Sequence, residues 1–187
     1  MTRTAGRLRI IAGRWGGRRI RVPAGVRVRP TSERVREAWM SILGSELADA
    51  RVLDLYAGSG ALGLEALSRG AAHVTFVESD PRVLDVLRVN LRELDAAAAA
   101  EIVRADGVRF LHDLEPAAYD LILADPPYGR RLAAETVRVF RRRRPARWLA
   151  LEHHRDEDVE SPPGSIRREY GETVLLFVPA DEAQESG

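Results

Sequence analysis

Apolar and polar positions along this chain switch between a period of two and a period near 3.6, and the switches mark its elements. Val52 to Tyr56 is an apolar run with β-branched and aromatic members, which reads as a buried strand. Gly58, Ser59 and Gly60 then predict a tight turn, where a side chain would obstruct a ligand lying against the backbone. From Ala61 the period is helical: Leu62, Ala66 and Leu67 share a face, and Gly70 is a natural terminator. A strand, a glycine turn and a helix N-terminus together offer N–H groups to an electron-rich ligand.

The same unit recurs downstream. His73 to Val77 is a second strand, ending at Glu78; Asp80 caps a helix with Pro81 in its first position and an apolar face of Val83, Leu84, Leu87, Leu91 and Leu94. Glu101–Arg104 is a weaker third strand, followed by Asp106, Gly107 and a short helix to about His112. Tyr119–Ala124 is a fourth strand leading directly into Asp125-Pro-Pro-Tyr128, and a helix from Leu132 to about Phe140 precedes the run Arg141–Arg144. Trp148–Glu152 is a fifth strand, with His153 and His154 expected on the polar loop beyond it. A closing hairpin is predicted at Ile166–Tyr170 and Thr173–Val178. Upstream, Leu8–Ile11 and Arg18–Val22 form a short hairpin around Gly13, Gly16 and Gly17. Thr31 or Ser32 caps a helix whose apolar face is Val35, Ala38, Trp39, Ile42 and Leu43. Arg34 lies in the first turn of that helix, near its positive end, which leaves open either an anionic partner or a solvated arginine.

Strands alternating with helices imply right-handed crossovers and an open, doubly wound α/β sheet. Ligands of such sheets gather at the carboxyl ends of the strands. Gly58–Gly60, Glu78, Asp106 and Asp125–Tyr128 all fall there.

Composition narrows the class. At 187 residues, 45% apolar and 30% charged, the chain suits a single globular domain with a small appendage. No apolar run reaches the roughly 20 residues of a membrane span, and the N-terminus lacks a signal-like apolar stretch, so a cytoplasmic location is expected. The absence of cysteine excludes disulfides and thiol nucleophiles, and with only four histidines no metal site is expected. All 29 basic residues are arginine, a bias too general to be a local adaptation. Their distribution is more informative: eleven lie in residues 1–36 beside a single acid, Glu33, while the remainder is acidic. A basic segment on an acidic body suits a polyanion.

Gly58-Ser-Gly-Ala-Leu-Gly63 spells G-x-G-x-x-G, and Glu78 follows Gly58 by twenty residues, as in dinucleotide sites. A carboxylate for ribose hydroxyls serves S-adenosylmethionine equally well. Asp54, beside the turn, suits the cationic methionine end of that ligand, and Asp106 suits the adenine amine. Asp125-Pro-Pro-Tyr128 tips the balance, because two prolines make a rigid turn whose carbonyls are available as acceptors for an amine.

The run Asp54–Ala66, with Glu78 and Asp125-Pro-Pro-Tyr128, resembles the bacterial 16S ribosomal RNA guanine-N2 methyltransferases of the small subunit. The block Arg29–Glu37 and the Gly17-Arg-Arg hairpin are similar to theirs as well, and motif order is kept over nearly the whole chain. The resemblance implies a Rossmann-like sheet of seven strands with a small N-terminal extension that helps hold RNA. It assigns cofactor contacts to Asp54, Tyr56, Ala57, Gly58, Ser59, Gly60, Glu78, Ser79, Asp106, Gly107 and Asp125, and catalysis to Asp125, Pro126 and Tyr128. RNA contacts fall to Arg14, Arg18, Arg19, Arg29 and Arg34. The expected division is a basic hairpin extension over 1–30, a methyltransferase domain over 31–180 and a disordered acidic tail over 181–187, in a monomer acting on 16S rRNA or the assembling subunit. Three rival readings are a nicotinamide-dependent oxidoreductase, an adenine-N6 methyltransferase acting on DNA or RNA, and a noncatalytic RNA-binding assembly factor.

Overall fold

The computed structural model describes residues 4–24 and 32–180. Strands β1 (Thr4–Arg9) and β2 (Arg19–Pro23) form an antiparallel hairpin, and helix α1 (Glu33–Leu43) follows. The main body then runs β3 (Arg51–Asp54), α2 (Ala61–Ser68), β4 (His73–Glu78), α3 (Pro81–Glu93), β5 (Ala100–Arg104), α4 (Gly107–Asp113), β6 (Leu121–Ala124), α5 (Leu132–Arg143) and β7 (Trp148–His154). A closing pair, β8 (Ile166–Tyr170) and β9 (Thr173–Pro179), completes a seven-stranded sheet of order β5-β4-β3-β6-β7-β9-β8. Pairings through β7 are parallel; β9 runs antiparallel to both neighbours.

The middle strands are apolar on both faces because helices cover both. Val52, Phe76, Leu121, Leu123 and Ala150 face α1, α2 and α3, while Leu53, Val77, Ile122, Ala124, Leu149 and Leu151 face α4 and α5. Of the caps the sequence predicts, Ser32 Oγ accepts from Val35 N and Asp80 Oδ1 from Arg82 N; Asp106 Oδ1, accepting from Arg109 N, is a further cap.

The hairpin is fastened to the body by backbone donors. The Ile11 and Ala12 N–H groups donate to the Glu65 carboxylate on α2 at 2.8 and 3.1 Å, Trp15 N–H donates to Ser68 Oγ, and Arg21 N–H donates to Asn90 Oδ1 on α3. Ile10, Trp15 and Ile20 are buried in the same core as α1 to α3.

Several expectations shift. The first strand of the hairpin lies earlier than Leu8–Ile11; β3 stops at Asp54, short of Tyr56, because its end turns into the site loop, and β6 starts at Leu121, two residues later than Tyr119. Helix α5 continues three residues past Phe140, since arginine is a good helix former. His153 and His154 are not on a loop: they continue β7, opposite Val174 and Thr173 of β9. His153 is 2% exposed, and burial depresses its pKa. Arg34 is exposed; its neighbour Glu33, also exposed, is the first-turn residue that pairs across elements, with Arg9 at 2.7 Å. Thr31, Arg29 and residues 181–187 lie outside the described residues.

Candidate active site

The chain leaves β3 outward through β4 to β5, then returns to the opposite side of β3 for β6 and β7. That reversal opens a crevice at the carboxyl ends of β3 and β6, the place where open α/β sheets bind ligands. A cleft of about 920 Å³ occupies it, within the range of small-molecule sites. The residues brought together there include Asp54, Glu78, Asp106, Asp125, Pro126 and Tyr128, drawn from four separate stretches of the sequence. Tyr56, Ala57, Gly58, Ser59, Ser79 and Gly107 also line it. Gly60 underlies the wall instead: its φ of +85° begins α2, and a Cβ there would lie 2.5 Å from Leu87.

The N–H groups of the glycine turn are largely engaged within the protein. Gly58 N–H donates to Glu78 Oε2 at 3.2 Å, Gly60 N–H to the Ala57 carbonyl at 2.7 Å and Gly63 N–H to Asp54 Oδ2 at 2.9 Å. The turn therefore positions carboxylates more than it presents donors. Glu78 Oε1 also accepts from the amides of Ser79 and Asp80, at 2.7 and 2.9 Å. Oε2, with the single long bond from Gly58, is the oxygen with capacity left for a hydroxyl. Asp54 is 1% exposed, and burial raises its pKa to about 7 against the opposing Gly63 hydrogen bond.

Tyr56 reaches across to Thr136 Oγ1 at 2.9 Å, and burial pushes its phenol up to about 12. Gly107 is required by close approach, since a Cβ there would lie 2.7 Å from the Tyr56 ring. Asp106 turns one oxygen to the Arg109 amide, and both it and Gly107 stay on the cleft wall.

At the other lip, Pro126 is buried and Asp125 half-buried. Tyr128 donates its hydroxyl to Glu152 Oε1 at 2.7 Å and sets its ring edge-on to His154, with centroids 5.6 Å apart. Burial, then the charge of Glu152, hold its phenol pKa well above the ordinary value.

The cleft residues that sequence reading missed include Glu152 and Arg36. Glu152, 4% exposed, lies in β7 at the end of the predicted fifth strand, as Glu78 ends the second, a signal available in the sequence but unused. Arg36 is 1% exposed on the buried side of α1, and its Nη2 donates to the Arg9 carbonyl at 2.8 Å. Its place between Val35 and the apolar turn at Trp39 was the available clue.

The family described as conserved hypothetical protein 95 matches residues 8–178. The ribosomal RNA small subunit methyltransferase D of Escherichia coli K12 is 42% identical over 136 residues, covering 73% of this chain and 68% of that one. The chain belongs to this methyltransferase family. A solved structure described as the putative methyltransferase yhhF of Escherichia coli superposes with a TM-score of 0.81 at 35% identity, over 96% of this chain and 100% of that one. An RNA methyltransferase of Salinibacter ruber, solved with S-adenosyl-L-homocysteine, shares the fold at 15% identity and a TM-score of 0.62, over 84% and 97% of the two chains. The seven-stranded Rossmann-like sheet read from the sequence is that of the methyltransferase family, and the small N-terminal hairpin is present.

Arg14, Arg18 and Arg19 are exposed on the hairpin, although Arg18 also donates to the Glu93 carbonyl and Arg14 lies over the Trp15 ring at 4.8 Å. Arg21 is committed to Glu93.

Proposed function

We propose that this protein transfers a methyl group from S-adenosylmethionine to the exocyclic N2 amine of a guanine in 16S ribosomal RNA of the small subunit. The observation that carries this reading is the convergence, in one cleft, of Asp125 and Pro126 with the glycine turn and Glu78. The donor set suits the cofactor: Glu78 Oε2 for a ribose hydroxyl, Asp106 for the adenine amine, and Asp54 near the cationic amino-acid end. When bound, that cofactor supplies a methyl group on an already activated sulfonium, so no metal is needed.

The chain's own task is to make an aromatic amine nucleophilic. Guanine N2 delocalises its lone pair into the ring. Accepting its two N–H hydrogens at the Asp125 carboxylate and the Pro126 carbonyl draws the nitrogen toward a tetrahedral shape and localises that pair. As the N–C bond forms, Asp125 is placed to accept the proton that N2 releases. The base must leave its stack to reach the cleft, and Tyr128, held by Glu152 and His154, supplies a fixed aromatic edge at the entrance. Arg14, Arg18, Arg19 and Arg34 would contact phosphates and contribute affinity without reading sequence.

Asp125→Ala is the test. It should keep its thermal shift with S-adenosylhomocysteine and lose methyl transfer to small subunits by about 100-fold or more. Transfer at the wild-type rate would overturn the role given to Asp125. Nucleoside analysis of the wild-type product separates guanine N2 from adenine N6, and a shift with NAD in place of S-adenosylhomocysteine would favour the oxidoreductase.

A further inference from the structure

We infer that Glu152 reads the N1–H of the base being methylated and so selects guanine among bases carrying an exocyclic amine. This rests on the proposed transfer to guanine N2. Strands β6 and β7 pair in parallel through Ala124 and Leu151, so Asp125, the first residue past β6, and Glu152, the next residue along β7, lie side by side one strand spacing apart, about 4.8 Å. Both line the cleft beside Pro126 and Tyr128. Glu152 is 4% exposed, and the transfer chemistry gives its carboxylate no part beyond holding Tyr128. A buried carboxylate is costly to keep, and the Tyr128 hydroxyl at Oε1 fixes how this one is turned.

Base chemistry supplies a use. The Watson–Crick edge of guanine presents two adjacent donors, N1–H and N2–H. Adenine presents its amine beside an N1 lone pair, and cytosine its amine beside an N3 lone pair. With Asp125 and the Pro126 carbonyl gripping the amine, a second carboxylate along the edge accepts a hydrogen bond from guanine but meets a lone pair in the others. A site built to pair with a substrate N–H rejects analogues that lack it far more strongly than an apolar pocket rejects a size change. Glu152 thus acts as a specificity residue touching substrate, with Tyr128 as the group that positions it.

The test uses 2-aminopurine, which keeps the 2-amine but carries a lone pair at N1. The nucleotide methylated by the wild-type protein is first mapped on small subunits from cells lacking it. Subunits reconstituted with guanine or 2-aminopurine at that nucleotide are then offered to wild type and to Glu152→Gln. Wild type should favour guanine in kcat/KM by about 10- to 100-fold, the worth of one charge-assisted hydrogen bond. Glu152→Gln, whose amide can donate or accept, should bring that ratio to within about threefold while still binding S-adenosylhomocysteine. If Glu152 only supported the loop, both substrates would slow together and the ratio would hold, which overturns the inference. Should the variant fail to fold, the wild-type ratio decides, and equal use of 2-aminopurine overturns it. Absence of any N2-methylguanine in the wild-type product is a separate result, and sinks the underlying transfer reading instead.

Discussion

Asp54→Asn isolates the cost of a buried carboxylate in the floor of the cleft. The wild-type residue is 1% exposed, and burial lifts its pKa from an ordinary 3.8 to about 7. A carboxyl group whose folded pKa exceeds its unfolded one contributes its full stability below pH 4 and loses it progressively as pH rises through 7. The interval from 3.8 to about 7 corresponds to about 4 kcal/mol at most. Even half of that, about 2 kcal/mol, moves Tm by about 4–8 °C in a chain of this size. Asparagine keeps an oxygen for the Gly63 amide but cannot ionise. Thermal unfolding of both proteins at pH 5 and pH 8 should therefore show wild type losing several degrees more than Asp54→Asn across the interval. A bound cation reverses the preference by favouring the ionised carboxylate. S-adenosylmethionine should accordingly bind with release of a proton near pH 6, visible calorimetrically as a dependence on buffer ionisation enthalpy, and that release should vanish in Asp54→Asn. Parallel pH slopes for the two proteins would refute the assignment of a buried, readily protonated Asp54; proton release surviving in the variant would refute its link to the cofactor.

Two further outcomes bear on the hairpin. Glu65→Ala removes the acceptor shared by Ile11 N–H, Ala12 N–H and Arg69, and losing one partner of a buried charge cluster costs about 3–5 kcal/mol; urea unfolding should show it, and an unchanged midpoint would contradict the fastening described. Arg14→Glu combined with Arg19→Glu should weaken RNA binding and reduce the slope of log K against log salt by about 0.7–0.9 per lost phosphate contact, with S-adenosylhomocysteine affinity unchanged. An unaltered salt slope removes those arginines from the RNA surface.

Much of the fold was legible because local signals and tertiary packing agree. Asp80 with Pro81 starts α3, and Val83, Leu84, Leu87, Leu91 and Leu94 are all buried as their spacing requires. The site was legible where residues sit next to strand ends, as Glu78 and Asp125 do. Charged residues held in the interior were not. Glu65 on α2 is fully buried, although a helical face of Leu62, Ala66 and Leu67 leaves it nominally outside. Besides Arg69 one turn on, its partners are backbone amides more than 50 residues away, and amides carry no signature in the sequence. His153 was read as polar loop because the apolar run had ended, but an antiparallel neighbour, β9, holds the strand in register beyond it.

Helix α2 is gripped at both ends by different machinery. Its first residues hang from the glycine turn and Asp54, while Glu65 and Ser68 clamp the arginine-bearing hairpin. Eight residues of helix thus behave as a short crossbar with no tether in it. RNA seated on the hairpin would be presented to the catalytic mouth at a set offset, like a workpiece in a jig. Recognition by measured distance then needs little reading of the letters around the target.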